Sequence, residues 1–433
     1  MSTDRPQRFR WLLHIDLDQF QVSVERLRSP ELADVALIVG GNGDPTEPRK
    51  VVTCASYEAR AHGVRAGMPL RAAHRKLPDA VFVPLDTEAY DAASAEVMDT
   101  IRGLGYPVEV WGWDEGYVGV EPVGPEPVGP ETVGPETVGT ETVGTETVGP
   151  ETLHDAASVA NNAVDDAAIT EIAARMRTAV LGATGLDSSV GISDNKQRAK
   201  MATEFAKKPD RLPPRDPQAA VESSTFLPVQ PLPDRVFLLD DRNWIELMGQ
   251  RPTRELWSVG PKTAQKLSAN HIDTVDDLIA TPRDDLIATF GPHQGNWLYV
   301  LCRGHGDSTI TAEPWEARSH SKSRTFPADL TSVAEKHSAA QQLTRELLDQ
   351  VIDEDRVPFR VAVTVRTSTF YTRTKSRKLA APTVDIAELT PVVLDLLDRF
   401  DADRPVRLLG VRMDLVPLDA ETTADTDLDL EVT

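Results

Sequence analysis

The 433-residue sequence predicts an α+β fold, with α/β as the alternative, in which two units of mixed strands and helices flank a helical middle region. Two observations predict it. Short apolar or alternating runs, typical of strands, are separated by helical segments over residues 11–206 and again over residues 361–415. Residues 230–305 carry only helical segments, so the middle of the chain is predicted to be a separate helical domain.

The first unit begins with an apolar run at residues 11–15, which predicts a buried strand that ends at Asp16. Residues 24–34 are predicted as a helix, and another helix is predicted from about Ser56. The further predicted strands are residues 35–39, 51–53, 108–111 and 117–120, with a turn at residues 112–116 between the last two.

Beyond residue 157 a helix is predicted to residue 177, followed by a buried strand at residues 189–192. Ser193 is placed to cap a helix that begins at Asp194, because a serine hydroxyl can accept a hydrogen bond from a first-turn N–H group. Three alanines at helical spacing then predict a close-packing face of this helix: Ala199, Ala202 and Ala206.

The C-terminal half follows a Pro-rich break at residues 209–217 and the helical middle region. A polar linker is predicted near residues 306–320. The second mixed unit then comprises an alternating strand at 361–367, a helix near 387–400 and a final strand at 406–415.

Residues 121–153 form an acidic pentapeptide repeat in which Pro or Thr, Glu and Gly recur every five residues. Val is the only apolar residue of each full unit, so the repeat cannot bury a core and is predicted to be a disordered insert. A spacer without a function is the favoured interpretation, and a partner-binding segment is the alternative.

The formal net charge of −22 argues at first against nucleic acid, whose phosphates favour a basic protein surface. The charge is segregated, however. Residues 121–153 carry seven Glu and the tail at 419–433 carries six acids, and without these thirteen the net charge is −9. Residues 356–378 carry seven Lys or Arg and no acid. The net charge therefore does not exclude a nucleic-acid partner.

Composition excludes several other classes. No stretch approaches the roughly 20 apolar residues needed to cross a bilayer. The polar start at residues 1–10 is unlike a signal peptide, which predicts a cytoplasmic protein. Cys54 and Cys302 are the only cysteines, which argues against a disulfide framework or a zinc site built on cysteine.

Three acids are candidates for a metal site. Asp16 follows a predicted strand, and Asp114 and Glu115 lie between two others. Neighbouring side chains of a strand point to opposite faces, but Gly112 and Gly116 bracket the pair and permit a tight turn in which both carboxylates face one space. Such hard oxygen ligands suit Mg²⁺ and two-metal phosphoryl transfer. Without further context, solvated loop acids are the more common interpretation.

Four motifs supply that context, and they occur in this order: HIDLDQF at residues 14–20, ASYEAR at 55–60 with GVRAGMP at 63–69, WDE at 113–115, and VGISDNK at 190–196. The set resembles the ordered motifs of DinB-type Y-family DNA polymerases, and its wording is most similar to the actinobacterial members. The resemblance continues through WSVGPKT at 257–263 and PVRLLGV at 405–411. It covers the chain except for the repeat insert and the tail.

The resemblance implies a right-hand polymerase of the α+β class, with a helix-hairpin-helix in its helical thumb and an α/β little finger. The implied boundaries are a palm at 1–25 and 86–228 with the insert at 121–153, fingers at 26–85, a thumb at 229–306, a linker at 307–319, a little finger at 320–418 and an acidic tail at 419–433.

The resemblance also implies the metal site. Asp16, Asp114 and Glu115 match the metal-binding and catalytic triad, with the Leu17 carbonyl as a further ligand, and Glu115 takes the role of the active-site acid. The implied cofactor is a pair of Mg²⁺ ions, with Mn²⁺ as a substitute. Asp18 matches the second Asp of the family motif, for which a structural role is favoured over metal binding.

Three residues match positions that bind the incoming triphosphate in the family. Tyr57 and Arg60 match residues of the fingers, and Lys196 matches a lysine of the palm. A guanidinium fork and a phenol hydroxyl both suit phosphate oxygens, and residues three apart on a helix share a face. For Lys196 the alternative is a solvated surface lysine.

One position departs from the family pattern. Gln21 follows Phe20 where members usually have a bulky aromatic residue that excludes the 2′-hydroxyl of the sugar. Gln is narrower and can hydrogen-bond a hydroxyl. We therefore expect weakened sugar discrimination, so that ribonucleotides are accepted as well as deoxynucleotides. The alternative is that Phe20 or the backbone supplies the exclusion.

Two segments are expected to contact DNA phosphates without reading the base sequence. The turn at 258–263 resembles a helix-hairpin-helix, which points backbone N–H groups at a phosphate. Alternation in the basic run at 366–378 places every second side chain on one strand face. The expected contacts are Gly260, Lys262 and Thr263 in the turn, and Arg366, Arg373, Lys375 and Arg377 in the basic run.

Together these expectations describe a DNA-directed DNA polymerase of the translesion type, a monomer that binds primer–template DNA and no membrane. The acidic C terminus has no convincing sliding-clamp peptide, so clamp dependence stays open. The alternatives are a non-catalytic DNA-binding protein that retains the fold and another two-metal enzyme such as a nucleotide cyclase. The intact acids disfavour the first, and the helix-hairpin-helix and basic C-terminal unit disfavour the second.

Overall fold

The computed structural model describes residues 7–122, 155–207, 234–314, 316–401 and 403–417. The break expected at 209–217 and the acidic tail at 419–433 lie outside these residues, as does the repeat insert beyond Pro122. Within the described ranges, no helix combines the length and apolar character needed to cross a membrane.

The strands are β1 (Gln7–Leu17), β2 (Leu37–Val39), β3 (Cys54–Ala55), β4 (Val81–Val83), β5 (Val108–Val110), β6 (Glu115–Pro122), β7 (Ser188–Ser193), β8 (Val236–Leu238), β9 (Thr309–Ile310), β10 (Ser319–Leu330), β11 (Arg356–Thr367), β12 (Thr372–Lys378) and β13 (Val406–Pro417).

The α-helices are α1 (Phe20–Arg28), α2 (Tyr57–Ala61), α3 (Leu70–Lys76), α4 (Thr87–Gly103), α5 (Asp155–Thr184), α6 (Lys196–Lys207), α7 (Asp241–Met248), α8 (Pro261–Ser268), α9 (Val275–Ala280), α10 (Arg283–Phe290), α11 (Pro292–Cys302), α12 (Val333–Asp353) and α13 (Ile386–Asp398). Short 3-10 helices cover Pro30–Leu32 and Thr253–Glu255.

These elements form two compact units. The first unit comprises Met1–Asp34 and Asp86–Pro314, and the second comprises Val35–Leu85 and Trp315–Thr433. Each unit therefore combines segments that are distant in sequence.

The first unit is built on a sheet with the strand order β5-β6-β1-β7-β8, and β9 pairs with the start of β1. β1 is antiparallel to both β6 and β7, whereas β7 and β8 are parallel. Because β1 is a central strand, its apolar run is buried on both faces, as the sequence predicts. β8 and β9 belong to this sheet, although the sequence-based boundaries assign their residues to the thumb and the linker.

Helix α6 packs very closely against β7. The alanines predicted to form its packing face are buried, Ala199 and Ala202 completely. A Cβ atom on Gly191 of β7 would lie only 2.1 Å from the Ala199 carbonyl oxygen and 2.3 Å from the Thr203 nitrogen. The absence of a side chain at Gly191 therefore allows the helix backbone to approach the strand.

The prediction that Ser193 caps this helix is wrong. Ser193 is the last residue of β7, where it pairs with Leu12, and its hydroxyl donates to the Leu239 carbonyl at 2.6 Å. Asn195 is the capping residue, since its Oδ1 accepts a hydrogen bond from the Arg198 N–H group at 2.9 Å. Sheet pairing thus extends the strand through Ser193 and delays the start of the helix to Lys196.

The predicted helical middle region is confirmed from Asp241 onward, whereas Val236–Leu238 forms strand β8. Helices α7 to α11 enclose an apolar core that also receives residues from α6. Its buried members include Met201, Phe205, Trp244, Leu247, Leu267, Leu298 and Leu301.

The second unit contains two sheets. The smaller has the order β3-β2-β4 and packs against α2 and α3 through Ile38, Ala59 and Leu70. The larger is antiparallel, in the order β10-β13-β11-β12, and its core face is covered by α12 and α13. Sequence patterns missed β10, because its polar and charged side chains mask the alternation that usually marks a strand.

Arg49 joins the two sheets of this unit. It lies in the loop between β2 and β3, with its Nη1 atom 2.9 Å from the Phe326 carbonyl oxygen and 2.7 Å from Asp329 Oδ1. Both oxygens lie where the register of β10 shifts between Thr325 and Leu330. A β-bulge re-aims backbone and side chains at the edge of a sheet, which here provides one guanidinium with a carbonyl acceptor and a carboxylate ion-pair partner.

Candidate active site

Asp16 and Glu115 are directly opposite each other in the sheet of the first unit. Asp16 is the penultimate residue of β1, and its register partner on β6 is Glu115, the first residue of that strand. Directly opposite residues on antiparallel strands have side chains on the same face, about 5 Å apart at Cβ. Two acids from distant parts of the sequence therefore meet at one end of the central strands.

Asp114 is held at the same place by the backbone. Its carbonyl accepts a hydrogen bond from the Leu17 N–H group at 2.8 Å, and the loop before it is closed by bonds from the Trp111 and Gly112 N–H groups to the Glu115 carbonyl at 3.1 and 3.3 Å. The predicted turn between β5 and β6 is thus present. Gly112 and Gly116 do not have positive φ angles, and Gly116 lies inside β6, so the turn does not depend on left-handed glycine.

Two lysines of α6 contact these acids, and the sequence reasoning missed both. Lys207 Nζ lies 2.6 Å from Asp16 Oδ1, and Lys200 Nζ contacts Glu115 Oε2. The missed signal is their spacing, because Lys196, Lys200 and Lys207 recur at four- and seven-residue intervals and share one helical face. This face presents positive charge to the carboxylates.

His14 is a third missed neighbour of the acids. Its side chain is buried, with Nδ1 2.8 Å from Thr203 Oγ1 and Nε2 3.3 Å from Glu115 Oε2. Burial lowers the pKa of His14 below its usual value, which favours the neutral ring. The imidazole therefore orients Glu115 rather than neutralising it.

The three acids differ in their electrostatic environment. Burial raises the pKa of Asp16 despite the opposing charge of Lys207. Burial and the adjacent Glu115 charge raise the pKa of Asp114. The hydrogen bond from His14 and the ammonium of Lys200 outweigh burial and lower the pKa of Glu115 to about 2. Glu115 is thus the most firmly ionised of the three.

The donor set fits a hard divalent cation, although its side chains are not gathered around one point. Among the described residues, no three His, Cys, Asp or Glu side chains are arranged closely enough to hold a metal. The reason lies in the contacts above, since Asp16 and Glu115 each turn toward a lysine. Partly buried carboxylates with raised pKa values gain from a cation, and oxygen ligands of this kind suit Mg²⁺.

Asp18 is part of a separate buried network. Its carboxylate accepts a hydrogen bond from Ser189 Oγ at 3.3 Å and forms an ion pair with Arg235. Its backbone N–H donates to the Asp187 carbonyl at 3.0 Å. These contacts support the structural role favoured for Asp18.

Phe20 and Gln21 begin helix α1 and lie in different surroundings. Phe20 is buried, and its ring packs edge-on against Tyr90 at a centroid distance of 6.1 Å. Gln21 is partly exposed, but its Oε1 atom is buried, and no described residue hydrogen-bonds to it. A buried acceptor without a donor is unfavourable, so this oxygen is available to a ligand donor.

Tyr57 and Arg60 lie in the second unit, on α2. The guanidinium of Arg60 stacks on the Tyr57 ring at 5.3 Å from its centroid, which confirms that the two share a face. Arg60 Nε also donates to the Ala55 carbonyl at 2.8 Å, and Ser56 caps the helix by accepting from the Ala59 N–H group. The helix start and the stacked ring thus fix the guanidinium in one orientation.

Lys196 is not a solvated surface lysine. Its ammonium is buried and forms ion pairs with Glu109 at 2.8 Å and Asp307 at 2.9 Å. The rings of Trp111 and Tyr117 lie within 6 Å of the same ammonium, at 5.8 and 5.9 Å. The contact of Lys196 with triphosphate stays a prediction, and these two acids would compete with it.

The turn at 258–263 begins helix α8. Gly260 is the N-cap residue, Pro261 is the first residue of the helix, and Ser258 has a positive φ of 71°. Gly260 and Lys262 are exposed, and a Cβ on Gly260 would meet nothing within 4 Å. The Thr263 hydroxyl accepts a hydrogen bond from Gln294 at 3.3 Å. The turn thus presents its backbone at the surface, as a phosphate contact requires.

Three of the basic residues of β12 face the helices of the second unit. Arg373, Lys375 and Arg377 share a face, as predicted, but their register partners are the core residues Val365, Val363 and Val361. Arg377 forms an ion pair with Asp395 of α13, and Lys375 donates to the Arg399 carbonyl. Arg377 and Lys375, which the sequence assigned to DNA, therefore already have partners within the protein. Their contact with DNA stays a prediction.

The opposite face of this sheet, which we call the open face, carries hydroxyl and basic side chains together with Asp414, which forms an ion pair with Arg412 at 3.0 Å. Arg366 lies on it, with its Nε atom 2.8 Å from Thr372 Oγ1. Strand register places the following residues on the same face: Ser321, Ser323 and Thr325 of β10, Thr364 of β11, Thr374, Ser376 and Lys378 of β12, and Arg412 of β13.

Sequence patterns of known families match most of the chain. The impB/mucB/samB family matches residues 15–204, and its C-terminal domain matches residues 317–428. The intervening residues 254–306 match the thumb domain of DNA polymerase-iota. The DNA polymerase IV 2 of Mycobacterium tuberculosis (strain ATCC 25618 / H37Rv) is 47% identical over 406 residues, covering 94% of this chain and 98% of that protein.

The chain belongs to the impB/mucB/samB family.

Other members and solved structures agree with this assignment. DNA polymerase IV of Streptomyces coelicolor is 29% identical over 404 residues, covering 92% of this chain and 70% of that protein. A chimeric Y-family DNA polymerase built from Dbh and Dpo4 has a TM-score of 0.69 at 20% identity, over 93% of this chain and 98% of that chain. An insertion ternary complex of Dbh DNA polymerase has a TM-score of 0.55 at 20% identity, over 94% and 100% of the two chains.

Membership in the impB/mucB/samB family confirms the resemblance to DinB-type Y-family polymerases that the motifs indicate. The structural neighbours and the matched thumb domain confirm the α+β polymerase fold with a thumb and a little finger.

Proposed function

We infer that this chain is a template-directed DNA polymerase of the translesion type, which extends a primer 3′ end by metal-assisted phosphoryl transfer. The observation that carries the inference is the register of β1 and β6, which sets Asp16 opposite Glu115 and bonds the Asp114 backbone to Leu17. Acids gathered at the end of central strands provide the hard ligands that this reaction requires.

We propose that Asp16, Asp114, Glu115 and the Leu17 carbonyl hold two Mg²⁺ ions, for which Mn²⁺ can substitute. When bound, these ions neutralise the triphosphate and stabilise the attacking and leaving oxygens. His14 and Lys200 keep Glu115 ionised. Glu115 takes the role of the active-site acid that the family resemblance implies. The choice of Mg²⁺ rests on the exclusively oxygen donor set.

Lys200 and Lys207 compensate the acids when no divalent ion is bound. An ammonium within 3 Å of a carboxylate, as in the pair of Lys207 with Asp16 at 2.6 Å, occupies the position of a competing cation. Ligation of a metal by Asp16 would therefore release the ammonium of Lys207. The released ammonium could then pair with a phosphate oxygen of an incoming nucleotide, because a triphosphate concentrates several negative charges near the metal site.

The nucleotide is proposed to bind through the stacked pair of Tyr57 and Arg60, with Lys196 as a further contact. Stacking on Tyr57 and the hydrogen bond to Ala55 restrict the rotamers of Arg60, so little side-chain freedom is lost when it binds phosphate.

Gln21 is proposed to weaken the exclusion of ribonucleotides. Phe20 packs against Tyr90 in the core, which argues against Phe20 as the residue that excludes the 2′-hydroxyl. The buried Oε1 atom of Gln21 lacks a donor among the described residues, and a ribose 2′-hydroxyl could donate to it. Both deoxynucleotides and ribonucleotides are therefore proposed substrates.

Primer–template DNA is the proposed macromolecular partner. The exposed turn at Gly260 and Lys262 suits a phosphate contact by the thumb. In the little finger, the open face combines hydroxyls with Arg366 and Lys378, which suits contact with a sugar–phosphate backbone better than the engaged side chains of Lys375 and Arg377 do. The chain is proposed to act as a monomer. Whether it binds a sliding clamp stays open.

Primer extension with each of the four templating bases tests this proposal. We expect the complementary deoxynucleotide to be inserted opposite each base, in a reaction that requires Mg²⁺ and the template. Extension that ignores the template would favour another two-metal enzyme, and DNA binding without any extension would favour a non-catalytic DNA-binding protein. Either outcome would overturn the proposal.

A further inference from the structure

Two aromatic side chains are exposed side by side at the tip of the hairpin that joins β11 and β12. Phe370 is 63% exposed and Tyr371 is 46% exposed. The other large apolar side chains of the little-finger sheet are mostly buried in its core beneath α12 and α13. Exposure of adjacent aromatic rings costs hydrophobic free energy, so their presence at the tip indicates a binding role.

Backbone hydrogen bonds hold this tip in one conformation. The Phe370 N–H group donates to the Thr367 carbonyl at 3.0 Å, the Thr367 N–H group donates to the Tyr371 carbonyl at 2.9 Å, and Ser368 donates to the Pro405 carbonyl at 3.3 Å. Phe370 has a φ of 64°, a left-handed conformation that is rare for a bulky residue. A strained conformation that persists in a well-bonded turn is typical of functional positions.

Each exposed ring is paired with an arginine. The guanidinium of Arg407 lies 4.6 Å from the Phe370 ring centroid, and that of Arg373 lies 5.2 Å from the Tyr371 centroid. Arg373 also hydrogen-bonds the Tyr371 hydroxyl. A flat ring beside a fixed positive charge is the combination that binds a stacked base together with its phosphate.

The surroundings favour a nucleic-acid ligand over a protein ligand. Residues 366–378 contain five Lys or Arg and no acid, although the chain as a whole carries a net charge of −22. The tip also continues the open face, because Arg366 and Thr372 are the last residues of that face on β11 and β12 before the turn. A DNA strand bound along the open face would therefore reach the rings of Phe370 and Tyr371 at the end of the sheet.

We propose that Phe370 and Tyr371 form a stacking platform for unpaired bases of the template strand, with Arg407 and Arg373 on the adjoining phosphates. The proposal rests on the proposed polymerase function and adds to it a site for single-stranded DNA on the little finger. Stacking on aromatic side chains tolerates any base, which suits a polymerase that must hold damaged templates.

The test compares the binding of two DNA molecules with the same duplex, one blunt and one with an unpaired 5′ template extension. We expect Phe370→Ala and Tyr371→Ala each to weaken binding of the extended DNA about tenfold, since each removes one stacking surface. The affinity for blunt duplex should not change. The fluorescent base 2-aminopurine in the extension should be quenched by wild-type protein and not by the double variant.

Two further variants control for folding and for loss of surface area. Phe370→Trp keeps a stacking ring and should retain wild-type binding of the extended DNA. Ile352→Ala removes an apolar side chain that is also 46% exposed in this unit, and it should change neither affinity. Equal losses on both DNA molecules, or no loss on the extended one, would overturn the proposal.

Two outcomes distinguish this proposal from a failure of the proposed polymerase function and from a protein–protein contact at the tip. Asp114→Ala should keep the preference for extended DNA while losing primer extension, so a failure of catalysis and a failure of stacking are distinguishable. If the alanine variants instead change self-association in sedimentation and leave the binding of extended DNA intact, the tip is a protein contact and the proposal is wrong.

Discussion

Asp16 and Glu115 are register partners on β1 and β6, yet their carboxylates contact different lysines of α6. The strands thus bring the acids together, while the helix supplies the positive charge that compensates them. Like charges held close together in a partly buried site repel unless cations compensate them. Divalent ions held by these acids, as proposed above, would have to displace the ammonium groups of Lys200 and Lys207.

Removal of either lysine should strengthen metal binding in the absence of nucleotide. Lys207→Ala and Lys200→Ala each remove a cation that competes for one carboxylate, so we expect Mn²⁺ affinity to rise about tenfold. Titration calorimetry of the nucleotide-free protein measures this directly. Lys322→Ala, in the other unit, is the control and should have no effect. Unchanged or weaker binding in both active-site variants would contradict the competition.

Gln21→Phe should restore the exclusion of ribonucleotides. A phenyl ring fills the space that a 2′-hydroxyl needs and removes the amide oxygen that can accept its hydrogen bond, so we expect selectivity for deoxynucleotides to rise at least about tenfold. Single-nucleotide insertion with matched dNTP and rNTP measures the ratio. Gln21→Ala separates size from hydrogen bonding, because the loss of bulk should raise ribonucleotide use whereas the loss of the acceptor should lower it. Equal selectivity in the wild type and in Gln21→Phe would contradict the proposal that Gln21 weakens sugar discrimination.

Gly191→Ala should destabilise the first unit. The added Cβ would lie 2.1 Å from the Ala199 carbonyl oxygen, so α6 would have to move away from β7. Overpacking of this kind costs about 1–3 kcal/mol in the free energy of unfolding. Gly182→Ala, in α5 with nothing within 4 Å of its Cβ, is the control and should be neutral or stabilising. Urea unfolding measures both, and a Gly191→Ala variant as stable as wild type would disprove the close packing.

Arg49 and Asp329 should be energetically coupled. Their atoms are 2.7 Å apart and both side chains are about four-fifths buried, so we expect a coupling energy of about 1–2 kcal/mol in a double-mutant cycle of alanine variants. The exposed pair of Arg404 and Asp401 is the control, with an expected coupling below about 0.5 kcal/mol. Partial rescue by exchanging the two charges would support the contact, and additive losses would refute it.

The sequence pointed to the three candidate acids but not to their partners. Motif order singled out Asp16, Asp114 and Glu115, and the structure places Asp16 opposite Glu115, while their catalytic role stays a prediction. Lys200 and Lys207 were missed because the role of a helix face can be inferred only when the element that it packs against is known. Their spacing was visible, yet nothing in the sequence shows that this face of α6 packs against the end of β1.

The little finger illustrates the same limit for strands. Alternation correctly put Arg373, Lys375 and Arg377 on one face, but a period of two cannot say which face a helix covers. The register with Val361, Val363 and Val365 determines it, and this register is a tertiary feature. Ser193 shows the converse, since a good capping residue was taken into β7 because sheet pairing outweighed its local preference.

The most direct test of the central claim is single-nucleotide insertion by three alanine variants, at Asp16, Asp114 and Glu115, with primer–template binding measured in parallel. We predict that each variant binds DNA and loses more than about a hundredfold in insertion rate, because even weaker perturbations of a metal site have effects of that size. Asp99→Ala, an exposed acid of α4, should insert nucleotides at the wild-type rate. A folded variant of any of the three acids that extends the primer as fast as wild type would contradict the account.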